Sequence, residues 1–164
     1  MSDYKYSIDA ENVNKIYFKK SNKIEALINF NIKIKKNSIY GLLGPNGAGK
    51  STFINILGGL VKKSNGIVKI CGIDIDQDSK KSKFKIGIVP QELNIDPFFS
   101  PVELLELQAG LYGIPKNKRK TEEILDNLKL TEQRNAYART LSGGMRRRLL
   151  IAKALVHSPE MLIL

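Results

Sequence analysis

The sequence predicts an α/β fold, and three observations carry that prediction. Asn29-Phe30-Asn31-Ile32-Lys33-Ile34-Lys35 alternates apolar and polar residues, the period of a half-buried strand. Ser38-Ile39-Tyr40-Gly41-Leu42-Leu43 is a short apolar run of the kind buried on both faces of a parallel sheet. It leads directly into a glycine-rich segment, and a helical pattern follows.

Taken in order, Ile16-Tyr17-Phe18 is the candidate antiparallel partner of the first strand. The helix after the glycine-rich segment carries Phe53, Ile54 and Leu57 on one side, and Gly58-Gly59 ends it in the usual C-terminal manner. Gly66–Ile70 and Ile86–Val89 read as strands. Ser100-Pro101-Val102-Glu103 is a helix start, with Ser100 as N-cap, proline in the first turn and glutamate three residues on. Leu104, Leu105, Leu107 and Leu111 are its expected apolar side. A second helix is predicted over Lys120–Leu128, with Ile124, Leu125 and Leu128 in register. Ser142 caps a last helix with Leu149, Ala152 and Leu155 among its apolar residues, and Ser158-Pro159 ends it. Met161-Leu162-Ile163-Leu164 is an apolar strand. The chain therefore reads as one domain, an α/β core of residues 1–90 and 141–164 with a helical insert at 91–140.

The length of 164 residues suits a single domain, and 42% hydrophobic with 26% charged residues is ordinary for a globular protein. The single cysteine, Cys71, cannot form an internal disulfide, which fits a reducing cytosolic setting. Residues 1–17 mix charged with isolated apolar residues and lack the apolar core of a signal peptide. No run approaches the ~20 apolar residues of a membrane span, so a membrane role is expected only through a partner. The formal charge of +11 invites a nucleic-acid reading. The lysines, however, are scattered along the chain among Ile and Asn, which is the pattern of a solvated basic surface. No direct nucleic-acid partner is expected.

Gly44-Pro45-Asn46-Gly47-Ala48-Gly49-Lys50-Ser51-Thr52 matches G-x-x-x-x-G-K-[ST], the P-loop. Backbone N–H groups can wrap the oxygens of a triphosphate only if the chain coils without side-chain clashes, and Gly44, Gly47 and Gly49 permit that coil. The following helix aims its positive end at the same phosphates. Lys50 adds a mobile charge that reaches the β and γ phosphates, and Ser51 offers a hydroxyl to Mg2+. The segment therefore binds a nucleoside triphosphate, with ATP the expected one.

Beyond the P-loop the chain resembles the nucleotide-binding subunits of ABC transporters. Leu141-Ser142-Gly143-Gly144-Met145 is similar to that family's LSGGQ signature, and Val89-Pro90-Gln91-Glu92 puts Gln91 where the family's Q-loop glutamine follows a strand. Tyr17 stands at the place of the aromatic that stacks on adenine, with Phe18 as the competing residue and a core role for Tyr17 as the alternative. The resemblance implies that Ser142 and Gly144 face the γ-phosphate held by a second protomer, in a homodimer or heterodimer. It implies that Gln91 meets Mg2+ and links the nucleotide to the helical insert, which touches an integral membrane permease. Lys50, Gln91, Ser142 and Gly144 are then the catalytic set, Tyr17 and Gly44–Thr52 the ATP contacts, and Ser51 and Gln91 the metal contacts. Met145 departs from the signature's glutamine and resembles the branch serving exporters with a separate permease. Arg146, Arg147 and Arg148 after it read most simply as a solvated helix face.

The fold implied is a P-loop NTPase core with N-terminal antiparallel strands and a helical insert, the C-terminal part of the core missing. Met161–Leu164 fits the apolar part of the family's Walker B strand, whose aspartate and glutamate would come next. Residues 1–164 are accordingly expected to bind ATP and turn it over poorly. His157 precedes that strand, so it is not the family's switch histidine; it reads as a histidine at a helix C-terminus. The expected setting is cytoplasmic, peripheral at the inner face of the cell membrane. The competing readings are a soluble ABC protein acting on ribosomes or DNA, and a non-catalytic ATP-binding remnant.

Overall fold

The structure is a computed structural model that describes residues 4–19 and 22–164. Two compact units divide at Ile86 and Gly87, and each is built around its own layer of strands or helices.

The first unit is an antiparallel sheet backed by a short helix. Strands β1 (Tyr6–Lys19), β2 (Asn22–Lys35), β3 (Asn65–Ile70) and β4 (Ile73–Asp74) lie in the order β2-β1-β3-β4. From Phe30 to Lys35 the side chains alternate half-buried and exposed, as the sequence pattern predicts. The partner of that stretch differs from the expectation. Tyr6–Val13 pairs with Phe30–Lys35, while Ile16–Phe18 pairs with Lys23–Glu25. Polar residues at Asp9, Glu11, Asn12 and Asn14 disguise the start of β1, because bulges interrupt its alternation there. Between β3 and β4, Cys71 and Gly72 both have positive φ, +49 and +78, which is the conformation of a two-residue hairpin loop.

Helix α1 (Lys50–Leu57) packs on this sheet through buried Phe53, Ile56 and Leu57, with Ile8, Ala10, Val13, Leu27, Val68 and Ile70 contributed by the strands. Gly58 and Gly59 end it, Gly59 at φ +70. Helix α2 (Ser79–Phe84) is capped by Asp78, whose side chain accepts from the N–H of Lys81.

One sequence expectation fails here. Residues 38–43 form no strand, and Ile39 and Leu43 are almost wholly exposed. Apolar run length reports what a segment can bury, but a strand also needs a neighbour to bond with. Among the described residues none pairs with this run.

The second unit is helical, with a small two-stranded sheet of β5 (Ile86–Ile88) and β6 (Met161–Ile163). Val89 N–H extends that pairing by donating to the carbonyl of Ile163 at 2.9 Å. Helices α3 (Pro101–Leu111), α4 (Thr121–Asn127) and α5 (Gly143–Leu155) pack around Leu105, Leu125, Leu130 and Leu149, none of which is exposed at all. At the start of α3, Ser100 and Glu103 form the predicted capping box, with the carboxylate accepting from the Ser100 N–H at 2.8 Å. The buried side of α3 is Pro101, Leu104, Leu105 and Ala109; Leu107 and Leu111 face water, contrary to expectation. Leucine content marks too wide a face, since the small residue Ala109 is buried where Leu107 and Leu111 are not.

Candidate nucleotide site

The phosphate loop is positioned by β2 and α1, both in the first unit. Gly47 and Gly49 each have φ +85, a conformation costly for residues with a Cβ. Gly44 lies outside that region, and a Cβ there would make an ordinary 3.4 Å contact with Ala48 Cβ. Conformation thus requires two of the three loop glycines that the motif specifies.

Helix α1 begins at Lys50 with no side-chain cap on its N-terminus and no acidic residue in its first turn. The first-turn N–H groups have no intrahelical acceptor, so the positive end of the helix is open to an anion. Ala48 N–H closes a turn of the loop by donating to the Pro45 carbonyl at 3.2 Å. Lys50 Nζ folds back over the loop and donates to the carbonyls of Gly44 and Pro45 at 2.6 and 2.7 Å. Both acceptors are neutral, so the ammonium charge is held at the loop uncompensated by either. A small cavity of about 70 Å3 lies against the loop, lined by Phe30, Leu42, Leu43, Ala48, Gly49, Lys50 and Phe53.

Tyr17, also in the first unit, is partly exposed and carries the Lys15 ammonium 4.6 Å from its ring centroid. Phe18 is more exposed still. The contacts of Tyr17 are those of a surface ring rather than a core aromatic.

In the second unit, Gln91 sits in an exposed bend just after β5, and Ser142, Gly143 and Gly144 form the exposed start of α5. Ser142 Oγ accepts from the Met145 N–H at 3.3 Å, so it caps the helix. A Cβ at Gly143 or Gly144 would meet nothing within 4 Å. Among the described residues, packing therefore gives no reason for glycine at either position.

The arginines after the signature are not simply solvated. Arg147 Nη1 donates to the Pro90 carbonyl at 2.6 Å, and Arg148 Nη1 donates to the Leu128 carbonyl at 3.1 Å. Arg146, Arg147 and Arg148 are all half-buried. Arg147 thereby joins the signature helix to the residue preceding Gln91, a link that sequence reasoning missed because a three-arginine run gives no sign of where each guanidinium turns.

Beside that link lies a cavity of about 200 Å3 lined by residues that include Pro90, Asn94, Gln108, Tyr112, Lys153 and His157. Tyr112 and His157 stack within it, ring centroids 3.9 Å apart and planes 5° from parallel. Burial pushes the Tyr112 hydroxyl above its ordinary pKa. His157 follows the end of α5, as expected from its place in the sequence.

Among the described residues no three His, Cys, Asp or Glu side chains cluster as a metal site.

The ABC transporter family profile matches residues 27–164. The chain belongs to the ABC transporter family. It is an ATP-binding domain of that family, and its relatives are named as ATP-binding proteins of linearmycin resistance and of Nod factor export. It is 42% identical over 159 residues to the linearmycin resistance ATP-binding protein LnrL of Bacillus subtilis (strain 168), a match covering 96% of this chain and 50% of that protein. With the Nod factor export ATP-binding protein I of Cupriavidus metallidurans it shares 37% identity over 138 residues, 83% of this chain and 46% of the relative. The chain thus spans about half the length of these curated relatives. A solved dimeric ATP-binding cassette in a post-hydrolysis state, bound to ADP and Pi, aligns with a TM-score of 0.79 at 31% identity, over 94% of this chain and 72% of that one. The fold class of an ABC cassette is therefore established, with the antiparallel N-terminal strands that the sequence predicts.

Proposed function

We propose that the chain binds Mg2+-ATP at Gly44–Thr52 and serves as the energy-coupling ATPase subunit of an exporter with a separate membrane permease. The observation that carries this reading is the open N-terminus of α1 with Lys50 poised on neutral carbonyls. Phosphate oxygens are better acceptors for an ammonium than amide carbonyls are, so the Lys50 side chain turns from Gly44 and Pro45 to the β and γ phosphates. The N–H groups of the loop and first helical turn grip the same oxygens. Mg2+ would be held by the Ser51 hydroxyl together with phosphate oxygens, and would neutralise charge on the terminal phosphates. Tyr17 offers the exposed ring for adenine.

Ser142 and Gly144 act on the nucleotide of a second copy or a related subunit. Capping uses only the acceptor side of Ser142 Oγ, which leaves its O–H free to donate to a phosphate oxygen. The open space above Gly143 and Gly144 suits close approach of that partner. The permease docks on the helical insert beside Gln91, where the larger cavity lies, and holds the subunit at the inner face of the membrane. No helix among the described residues is long and apolar enough to cross a membrane itself. The names of the relatives, which specify linearmycin resistance and Nod factor export, favour export over a ribosomal or chromosomal role.

Equilibrium binding of ATP with Mg2+ tests the site. Lys50→Ala is expected to weaken binding by about tenfold to a hundredfold, the loss of one charge-assisted contact of ~1.5–3 kcal/mol. Unchanged affinity would refute the assignment. Co-purification with an integral membrane protein, rather than with ribosomes, is expected from cells expressing the tagged chain.

A further inference from the structure

Four asparagines of β1 and β2 bond one another in an approximately two-fold pattern. Asn12 donates its backbone N–H to Asn31 Oδ1, and Asn29 donates its own to Asn14 Oδ1, both at 2.9 Å. The Nδ2 groups of Asn14 and Asn31 donate in turn to the carbonyls of Asn12 and Asn29, at 2.8 and 2.6 Å. Asn12 and Asn29 have left-handed backbones, φ +50 and +44, and each lies where the ladder shifts register. A bulge takes an N–H out of the ladder. Here each displaced N–H is captured by an asparagine side chain across the hairpin.

The bulge in β2 changes which residues face inward. Leu27 and Phe30 are three positions apart, so strict alternation would put them on opposite faces. Instead Leu27 is buried and Phe30 half-buried, with Ile28 and Asn29 both exposed between them. Both inward residues meet the nucleotide loop and its helix. The Phe30 ring stands 4.7 Å from that of Phe53, and a Cβ on Gly49 would fall 2.6 Å from Leu27 Cδ2 and 2.5 Å from the Ala26 carbonyl oxygen. The loop's last glycine and the first buried residue of α1 rest on a surface that exists only while β2 is bulged.

We infer that Asn14 and Asn29 are positioning residues for the phosphate loop, acting through the bulged stretch from Ala26 to Asn29. Neither reaches the nucleotide. Asn29 supplies the left-handed turn of the bulge at low cost, and Asn14 fixes it by accepting the displaced N–H. The inference rests on the triphosphate reading of the loop.

The test compares ATP affinity, the hydrogen-exchange rates of the Gly47–Ser51 amides without nucleotide, and the urea midpoint across several variants of the chain. Asn29→Val, which resists positive φ, and Asn14→Ala, which removes the acceptor, are expected to weaken ATP binding about tenfold and to speed exchange at the loop, as displacement of a gripping element should. Asn29→Gly keeps both the φ and the N–H and is expected to stay within about twofold of the parent, which a generic loss of side-chain packing would not produce. Asn14→Ala leaves the backbone of β1 unaltered, so it keeps the test available if Asn29→Val does not fold. Parent-like affinity and loop exchange in folded Asn14→Ala, or equal damage by Asn29→Gly and Asn29→Val, would overturn the inference while Lys50→Ala still weakens binding. Parent-like binding by Lys50→Ala would instead remove the triphosphate reading and this inference with it.

Discussion

Arg147 donates a 2.6 Å hydrogen bond to the carbonyl of Pro90, joining the first turns of α5 to the segment that carries Gln91. A charged donor on an exposed carbonyl contributes less than a buried one, so Arg147→Ala should cost about 1 kcal/mol in urea unfolding. The more specific outcome is local. Protease cleavage between residues 90 and 97 should quicken in the variant, while cleavage elsewhere stays the same. Arg147→Lys should restore the charge without restoring protection, because its flexible ammonium lacks the guanidinium's fixed donor geometry.

Gly49→Ala should be among the most damaging single substitutions in the first unit. The new methyl would collide with the Ala26 carbonyl and Leu27, and it would sit at φ +85. Left-handed backbone costs ~1–2 kcal/mol for an alanine, and overpacking typically adds ~1–3 kcal/mol. Thermal unfolding gives the stability loss directly. Gly44→Ala, with ordinary contact distances and no positive φ, should cost much less.

Much of this was legible in the sequence, and the reasons differ by element. The loop, the capping box at Ser100 and the cap at Ser142 depend on residues close together in the chain, so local chemistry reveals them. The pairing of β1 did not, because Asn12 and Asn14 break the alternation that identifies a strand, and their purpose appears only once Asn29 and Asn31 are seen across from them. β4 escaped notice for a similar reason: Cys71-Gly72 makes a tight hairpin without the usual Asn-Gly signal. The segment 38–43 erred the other way, its composition promising a burial that needs a paired neighbour. At the site, Arg147 and Leu27 were invisible because their roles lie in long-range contacts.

The two serine caps should differ in stability cost. Ser100 accepts from the Glu103 N–H and donates both its backbone N–H and its Oγ–H to the Glu103 carboxylate at 2.8 Å, whereas Ser142 makes a single 3.3 Å contact at an exposed helix start. Ser100→Ala should destabilise by about 1–2 kcal/mol and Ser142→Ala by about 0.5 kcal/mol, both measured by chemical denaturation. If Ser142 serves a second protomer, its replacement should instead weaken ATP-dependent dimer formation, read by sedimentation.

Acid should loosen the contact between α3 and α4. Glu106 accepts from Thr121 Oγ1 and, at 2.6 Å, from Arg119 Nη1, and these bonds hold its carboxyl below the ordinary value of 4.5. A carboxyl lowered by folding contributes stability that is present above pH 4.5 and is lost as pH falls through the lowered value. The urea midpoint of the parent should therefore drop more steeply than that of Glu106→Gln between about pH 5 and pH 3.

The register of the β1–β2 hairpin has an accounting consequence. Two shifts add a residue to β1 and two add a residue to β2, so Lys19 faces Asn22 in the same alignment with which Tyr6 faces Lys35. Deleting Asn12 or Asn29 alone would leave one strand a residue short and turn every side chain beyond the cut to the other face. Deleting both would bring the strands back into step at their ends. A length change in one strand of this hairpin thus calls for a matching change in the other if the ends are to stay in step.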